Sequence, residues 1–203
     1  MAHLGVVSAL LTALCVVPYL RDIARGSTRP QRTSWFVFAA LSIVATVSQL
    51  INGNLAGAWL AAGAACGFSV VFVVSIHCGE GGWGGADRVS LAVASVGVVV
   101  SVMVREPTVA VAAVIAAELS AVSMTVRKAR SDPGSETLAT WVLDGVAGVI
   151  AIGAVTSPSL AALLYPVHHT CVNGWVVATI VRARNRRAAF RGPTVSARQH
   201  ASG

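Results

Sequence analysis

The chain has 203 residues and a mean hydropathy of +0.73, and only 11% of its residues are charged, well below the roughly 25% of soluble domains. A disordered chain, a disulfide-stapled scaffold and an ordinary soluble enzyme are thereby excluded, and a one-domain, multi-pass membrane protein is indicated. The net charge of +7 comes from 14 Arg and one Lys against eight acids, and the basic residues fall in short loops between apolar runs; the excess therefore reads as membrane topology and no nucleic-acid partner is expected.

Seven apolar runs predict an all-α chain of seven transmembrane helices. Helix 1 covers Leu4–Leu20. It has no basic leader and no small-x-small cleavage site after it, so it reads as a retained span. Helix 2 covers Trp35–Ile51 and helix 3 Leu55–Ile76. The Gly-rich Cys78–Ala86 stretch lacks the Lys-Ser/Thr of a nucleotide loop and reads as a flexible link. Helix 4 covers Val89–Val104, helix 5 Thr108–Val126, helix 6 Leu138–Thr156 and helix 7 Ser159–Val181. Residues 182–203 form a basic cytoplasmic tail, expected to be mobile. Cys15, Cys66, Cys78 and Cys171 show no CxxC pair and read as packing residues, with no disulfide framework or metal site.

With the N-terminus outside, fourteen of the fifteen basic residues lie on the inner side and only Arg105 lies outside. The positive-inside rule thus predicts N-out, C-in. A shift of 106 residues aligns the halves without a gap: Arg21 falls on Arg127, Trp35 on Trp141 and Trp59 on Tyr165. Residues 1–181 then form one domain, with a repeat at 4–77, a linker helix at 89–104 and a second repeat at 108–181. Three helices plus one linker make the repeats parallel.

This 3+1+3 arrangement resembles the SWEET and PQ-loop transporter superfamily. Pro18-Tyr19-Leu20-Arg21-Asp22-Ile23 with Arg29-Pro30 and Ser34-Trp35 is similar to bacterial members, as is Arg127-Lys128 followed by Asp132-Pro133 and Ser135-Glu136-Thr137. The resemblance implies alternating access to a small solute, with Asn173 as a solute contact and assembly into dimers or larger oligomers. It also implies hinge prolines in both repeats. Here helix 1 keeps Pro18, but its repeat mate is Met124, and helices 2 and 6 hold no proline. The fold is therefore expected, and a lost transport cycle with it.

Ionisable residues inside spans are functional candidates by default. Glu118 lies nine residues before Arg127 and Asp144 eight after Glu136, which sets both about 12–13 Å above the inner boundary at ~1.5 Å per residue. Asn173, nine residues before Arg182, falls in the same layer. The first-half equivalents are Thr12, Phe38 and Gly67, none of them acidic. The plainer reading is that each acid bonds a neighbouring carbonyl or hydroxyl and packs helices. Asp22, beside Arg21, reads as half of a boundary ion pair.

A neutral carboxylic acid in an apolar pocket can protonate a weak base, and aromatic faces attract cations. The first functional expectation is therefore a metal-free, cofactor-free terpene cyclase that protonates an alkene or epoxide of an isoprenoid chain. Small heptahelical terpene cyclases of meroterpenoid pathways are similar in size, helix count and use of membrane-embedded acids. Asp144 or Glu118 would donate the proton. Trp141, Trp175 and Tyr165 would line the cation path, with Trp59 a further substrate contact. Asn173, His168 or His169 would take the final proton. Adjacent on a helix, the two His point about 100° apart and cannot share one metal in the i, i+4 manner. Trp35, near the inner end of helix 2, is expected to anchor at the lipid interface.

The second expectation is a small-solute transporter, proton-coupled through the same acids. No Asp-Asp-x-x-Asp, Gly-x-Ser-x-Gly or His-Glu-x-x-His motif is present. The partners expected are the bilayer and, for the cyclase, a lipophilic isoprenoid substrate; the Arg- and Ala-rich composition suggests a bacterial cytoplasmic membrane.

Overall fold

Pro18 shapes the first element. The computed structural model describes residues 2–82, 84–104 and 106–191. Within it α1 (Ala2–Leu14) runs through Cys15 into α2 (Val16–Ala24). Lacking an N–H, Pro18 leaves the Leu14 carbonyl without its helical donor, and the helix is interrupted just there. The other helices are α3 (Arg32–Ile51), α4 (Leu55–Cys78), α5 (Gly85–Met103), α6 (Pro107–Ser131), α7 (Leu138–Ala154) and α8 (Leu160–Arg191).

Their starts follow from local chemistry. Gln31 accepts the Ser34 N–H, Asn54 accepts the Gly57 N–H, and Glu106 accepts those of Thr108 and Val109 ahead of Pro107. The α3–α4 turn closes with Gly53 at φ +68°, a left-handed conformation that glycine adopts without steric cost.

Five helices are long and apolar enough to cross a membrane: the α1–α2 rod, α3, α4, α5 and α6. Their outer faces carry unpaired aliphatics such as Leu10, Ile43, Val73, Val96 and Val102, as lipid contact requires. The seventh predicted run behaves differently from expectation at its end. The helix continues ten residues past Val181, to Arg191, because Arg184 donates to the Pro133 and Glu136 carbonyls and Arg187 to Asp132 and the Ser131 carbonyl. The first part of the expected tail is therefore helical and pinned, while residues 192–203 and Arg105 lie outside the described residues.

Packing pairs α3 with α4, α1 with α4, α7 with α8 and α6 with α8; α1 also meets α7, and α3 meets α6. Small residues allow the close crossings: a Cβ at Gly63 would collide with the Ala9 backbone, and one at Gly148 with Thr170.

Candidate functional site

The interior can be followed from the Arg-rich end upward. There three loops are tied together. Lys128 Nζ lies 3.1 Å from Glu136 Oε1 and 3.2 Å from Glu80 Oε1, and donates to the Arg29 carbonyl. Arg32 donates to the carbonyls of Ser75, Gly79 and Gly81. Burial pushes the Glu136 carboxyl above the usual carboxylate range, with Lys128, Trp141 and Tyr19 opposing. Asp22 makes no ion pair with Arg21 among the described residues; its Oδ2 accepts the Thr137 hydroxyl at 2.7 Å.

Above this seal sits a packed aromatic cluster. Trp35 stands with its ring centroid 4.9 Å from Tyr19, 5.8 Å from Phe38, 5.5 Å from Phe68 and 6.1 Å from Trp141. Trp35 is 2% exposed and donates to the Tyr19 hydroxyl. The expected interfacial anchor is thus a core residue, because α3 turns its Trp-bearing face toward α7. Trp141 Nε1 donates to Glu136 Oε2 at 3.2 Å, so its polar edge points into the seal.

The next layer holds the two acids. His168 Nε2 is 3.1 Å from Glu118 Oε2, and His169 Nε2 is 3.0 Å from Asp144 Oδ2. Helix α8 packs on both α6 and α7, so two adjacent histidines serve one acid on each neighbour. Their separation of about 100° is what makes this possible. The His169 contact is close but off-line for a hydrogen bond. Asp144 Oδ2 takes its in-line bond from Asn173 Nδ2 at 3.0 Å, and Asn173 also donates to the His169 carbonyl. Asp144 Oδ1, His169 Nε2, Asn173 Oδ1 and Thr140 Oγ1 are buried without hydrogen-bond partners. Such orphans cost about 1–3 kcal/mol each, and here they concentrate around one carboxylate. His168 and Glu118 are hydrogen-bonded to each other, whereas His169 and Asp144 are in close contact without such a bond; buried acid–imidazole pairs of this kind are the usual material of proton relays.

Tyr165 is buried with its ring 6.1 Å from that of His169. Of the expected site residues, then, Glu118, Asp144, His168, His169, Asn173 and Tyr165 are brought together. Trp141 lies one turn below, in the aromatic cluster. Trp175 is 41% exposed on the outside of α8 and Trp59 is 45% exposed at the far end of the bundle; neither reaches the acids. Trp175 points outward because the faces of α8 toward α6 and α7 are already taken by His168, His169 and Asn173.

At the end where the chain begins, a cavity of about 570 Å³ opens between α3–α4 and α7–α8. Gln49, Asn54, Trp59, Thr156 and Ser159 are among its walls. Sequence reasoning passed over Gln49 and the Lys128–Glu136 pair. Gln49 was legible as a lone amide inside an apolar run; the pair joins a helix end to a loop eight residues on, a reach that spacing alone does not disclose.

No protein-family model, curated protein or solved structure matches the chain.

Proposed function

We propose that this protein carries a small solute across a membrane, with the solute's movement linked to protons held by the His168–Glu118 and His169–Asp144 pairs. The observation that carries the reading is their place: between a cavity open at one end and an ion-paired, aromatic-packed closure at the other. A carrier occluded on one side has this arrangement, and intramembrane ionisable pairs are typical proton relays.

In this reading all seven helical rods span, N-out and C-in, as two parallel repeats joined by α5. Of the two beyond the five most apolar, α7 is an apolar helix of 17 residues, short for a span, and α8 carries His168, His169 and Asn173 within its apolar stretch. The packing supports a repeat. Under the 106-residue shift, α1–α4 contact corresponds to α6–α8, α3–α4 to α7–α8, and α1–α7 to α6–α3, and all of these contacts occur. The repeat mates Trp35 and Trp141 also meet each other, as residues near a pseudo-twofold axis do.

The cyclase expectation asks for an aromatic-walled pocket against a carboxyl. The aromatic rings here are close-packed on one another, and the 570 Å³ cavity touches neither acid, which favours transport. The test is solute-driven proton flux into proteoliposomes loaded with a pH dye, across a panel of small solutes. At least one solute should move protons, and Asp144→Asn and Glu118→Gln should cut that flux tenfold or more. The reading fails if no solute moves protons while membranes convert farnesyl- or geranylgeranyl-bearing indoles, quinones or their epoxides to an isobaric product that Asp144→Asn abolishes.

A further inference from the structure

A residue on the wall of the open cavity holds a buried donor with nothing to donate to. Asn54 Oδ1 accepts the Gly57 backbone N–H, and a backbone N–H can only donate, so the orientation of the Asn54 amide is fixed. Its Nδ2 must then meet an acceptor, and meets Gln49 Oε1 at 2.9 Å and the Ala162 carbonyl at 3.3 Å. That in turn fixes Gln49: its oxygen is used and its Nε2 is left. Gln49 is 2% exposed, and Nε2 has no hydrogen-bond partner. Gly57 makes room for this amide, since a Cβ there would lie 3.1 Å from Nε2.

Resting on the transport reading, we infer that this cavity is the recognition site for an uncharged solute carrying a hydrogen-bond acceptor, with Gln49 Nε2 as the donor that reads it and Trp59 as the wall it lies against. The volume is in the range of small-molecule sites. Its polar groups come from both halves of the chain as amides and hydroxyls, and no ionisable side chain lines it among the described residues. A charged solute would leave water and gain no counter-charge. Trp59 is held in place by close contact with Gly5, where a Cβ would lie 2.9 Å from its Cδ1, so an ordered aromatic face borders the space. With Ser48, Val114 and Tyr165, Gln49 also lines a small packing void deeper in the bundle, and the Tyr165 ring neighbours His169.

The experiment is a binding titration on detergent-purified protein at constant pH, read by tryptophan fluorescence, with Trp59→Phe as the control for signal origin. The probes are two matched pairs: myo-inositol with myo-inositol phosphate, and nicotinamide with nicotinate. At least one neutral probe is expected to bind, at least tenfold more tightly than its charged counterpart. Gln49→Met removes the donor, and Gln49→Glu keeps the shape while replacing the donor with an acceptor; each should weaken binding tenfold or more, with size-exclusion profile and melting temperature unchanged. Equal binding of the charged counterparts, no binding of either neutral probe, or wild-type affinity in a folded Gln49 variant overturns the assignment. Because no gradient is applied, the two readings fail separately. Neutral binding without proton flux removes the carrier and leaves the site. Solute-driven flux that Gln49→Met does not alter removes the site and leaves the carrier.

Discussion

The two halves of the molecule solve the same packing problem with different chemistry. At three matched positions the first half places Thr12, Phe38 and Gly67, and the second places Glu118, Asp144 and Asn173. Phe38 packs against Trp35 and Trp141. Gly67 lets α4 approach α1, where a Cβ would lie 3.2 Å from the Ala13 carbonyl. In the second half the same positions hold histidines and hold each other. One half is a packed support, and the other carries charge on that support. The Arg-rich end repeats the lesson with a twist. The mates Asp22 and Lys128 each reach into the opposite half's loop, Asp22 to Thr137 and Lys128 to the Arg29 carbonyl, but only Lys128 is engaged in a buried ion pair.

That last difference predicts the largest effect. Lys128 is 9% exposed and Glu136 2% exposed. Lys128→Met strands a buried carboxylate, which costs about 3–5 kcal/mol, whereas Asp22→Asn disturbs one partly exposed hydrogen bond worth about 1 kcal/mol. The pH dependence has a definite sign. Burial holds the Glu136 pKa above its unfolded value, so the fold tolerates the protonated acid and loses stability as pH rises through the raised pKa. Melting temperatures of the Lys128→Met protein should therefore fall well below wild type at pH 8 and recover toward pH 5. A loss that does not change with pH means that Lys128 acts by packing alone, and the contrast between the mates disappears.

The paired tryptophans sharpen the comparison at a smaller scale. Both are buried and both donate through Nε1, but Trp141 donates to a carboxylate and Trp35 to a phenol. Replacement by Phe keeps an aromatic ring and removes the donor. The charged bond is worth about 1.5–3 kcal/mol and the neutral one about 0.5–1.5 kcal/mol. Denaturant or thermal unfolding should thus place Trp141→Phe below Trp35→Phe. The reverse order would mean that ring contacts, not the link to the seal, decide the stability of this layer.

Much of this was legible in the residues. Apolar runs located the helices, since each run must bury its backbone bonds within itself. Counting residues from Arg127, Glu136 and Arg182 put Glu118, Asp144 and Asn173 in one layer, and Asn173 and Asp144 do bond. The histidines were read as a proton acceptor or substrate contact, without an assigned acid for either. That they serve two acids depends on α8 lying between α6 and α7, which is a matter of helix packing and not of local sequence. Trp35 misled for the same reason: its distance from a helix end was readable, but the face it turned was not. The extension of α8 depends on carbonyls of the 131–136 loop that accept from Arg184 and Arg187, and no composition rule distinguishes a pinned basic helix from a free tail.

The smallest contrast lies where each half begins. In the first half, α1 has no acid in its first turn. The second opens on Glu106, whose exposed carboxylate accepts the N–H groups of Val109 at 2.7 Å and Thr108 at 3.1 Å. Those backbone bonds hold its pKa below the usual carboxylate range, and the helix dipole acts in the same direction. A depressed folded pKa gives stability that is present above the unfolded value and is lost as pH falls through the folded one. Glu106→Gln keeps one acceptor oxygen and removes the charge. Its melting temperature should therefore sit slightly below wild type at pH 7, and the gap should close as the solution is taken below the carboxyl range, where the native residue is itself neutral. If the gap instead stayed constant down to acid pH, the cap would be acting through shape, and the start of α6 would owe as little to charge as the start of α1.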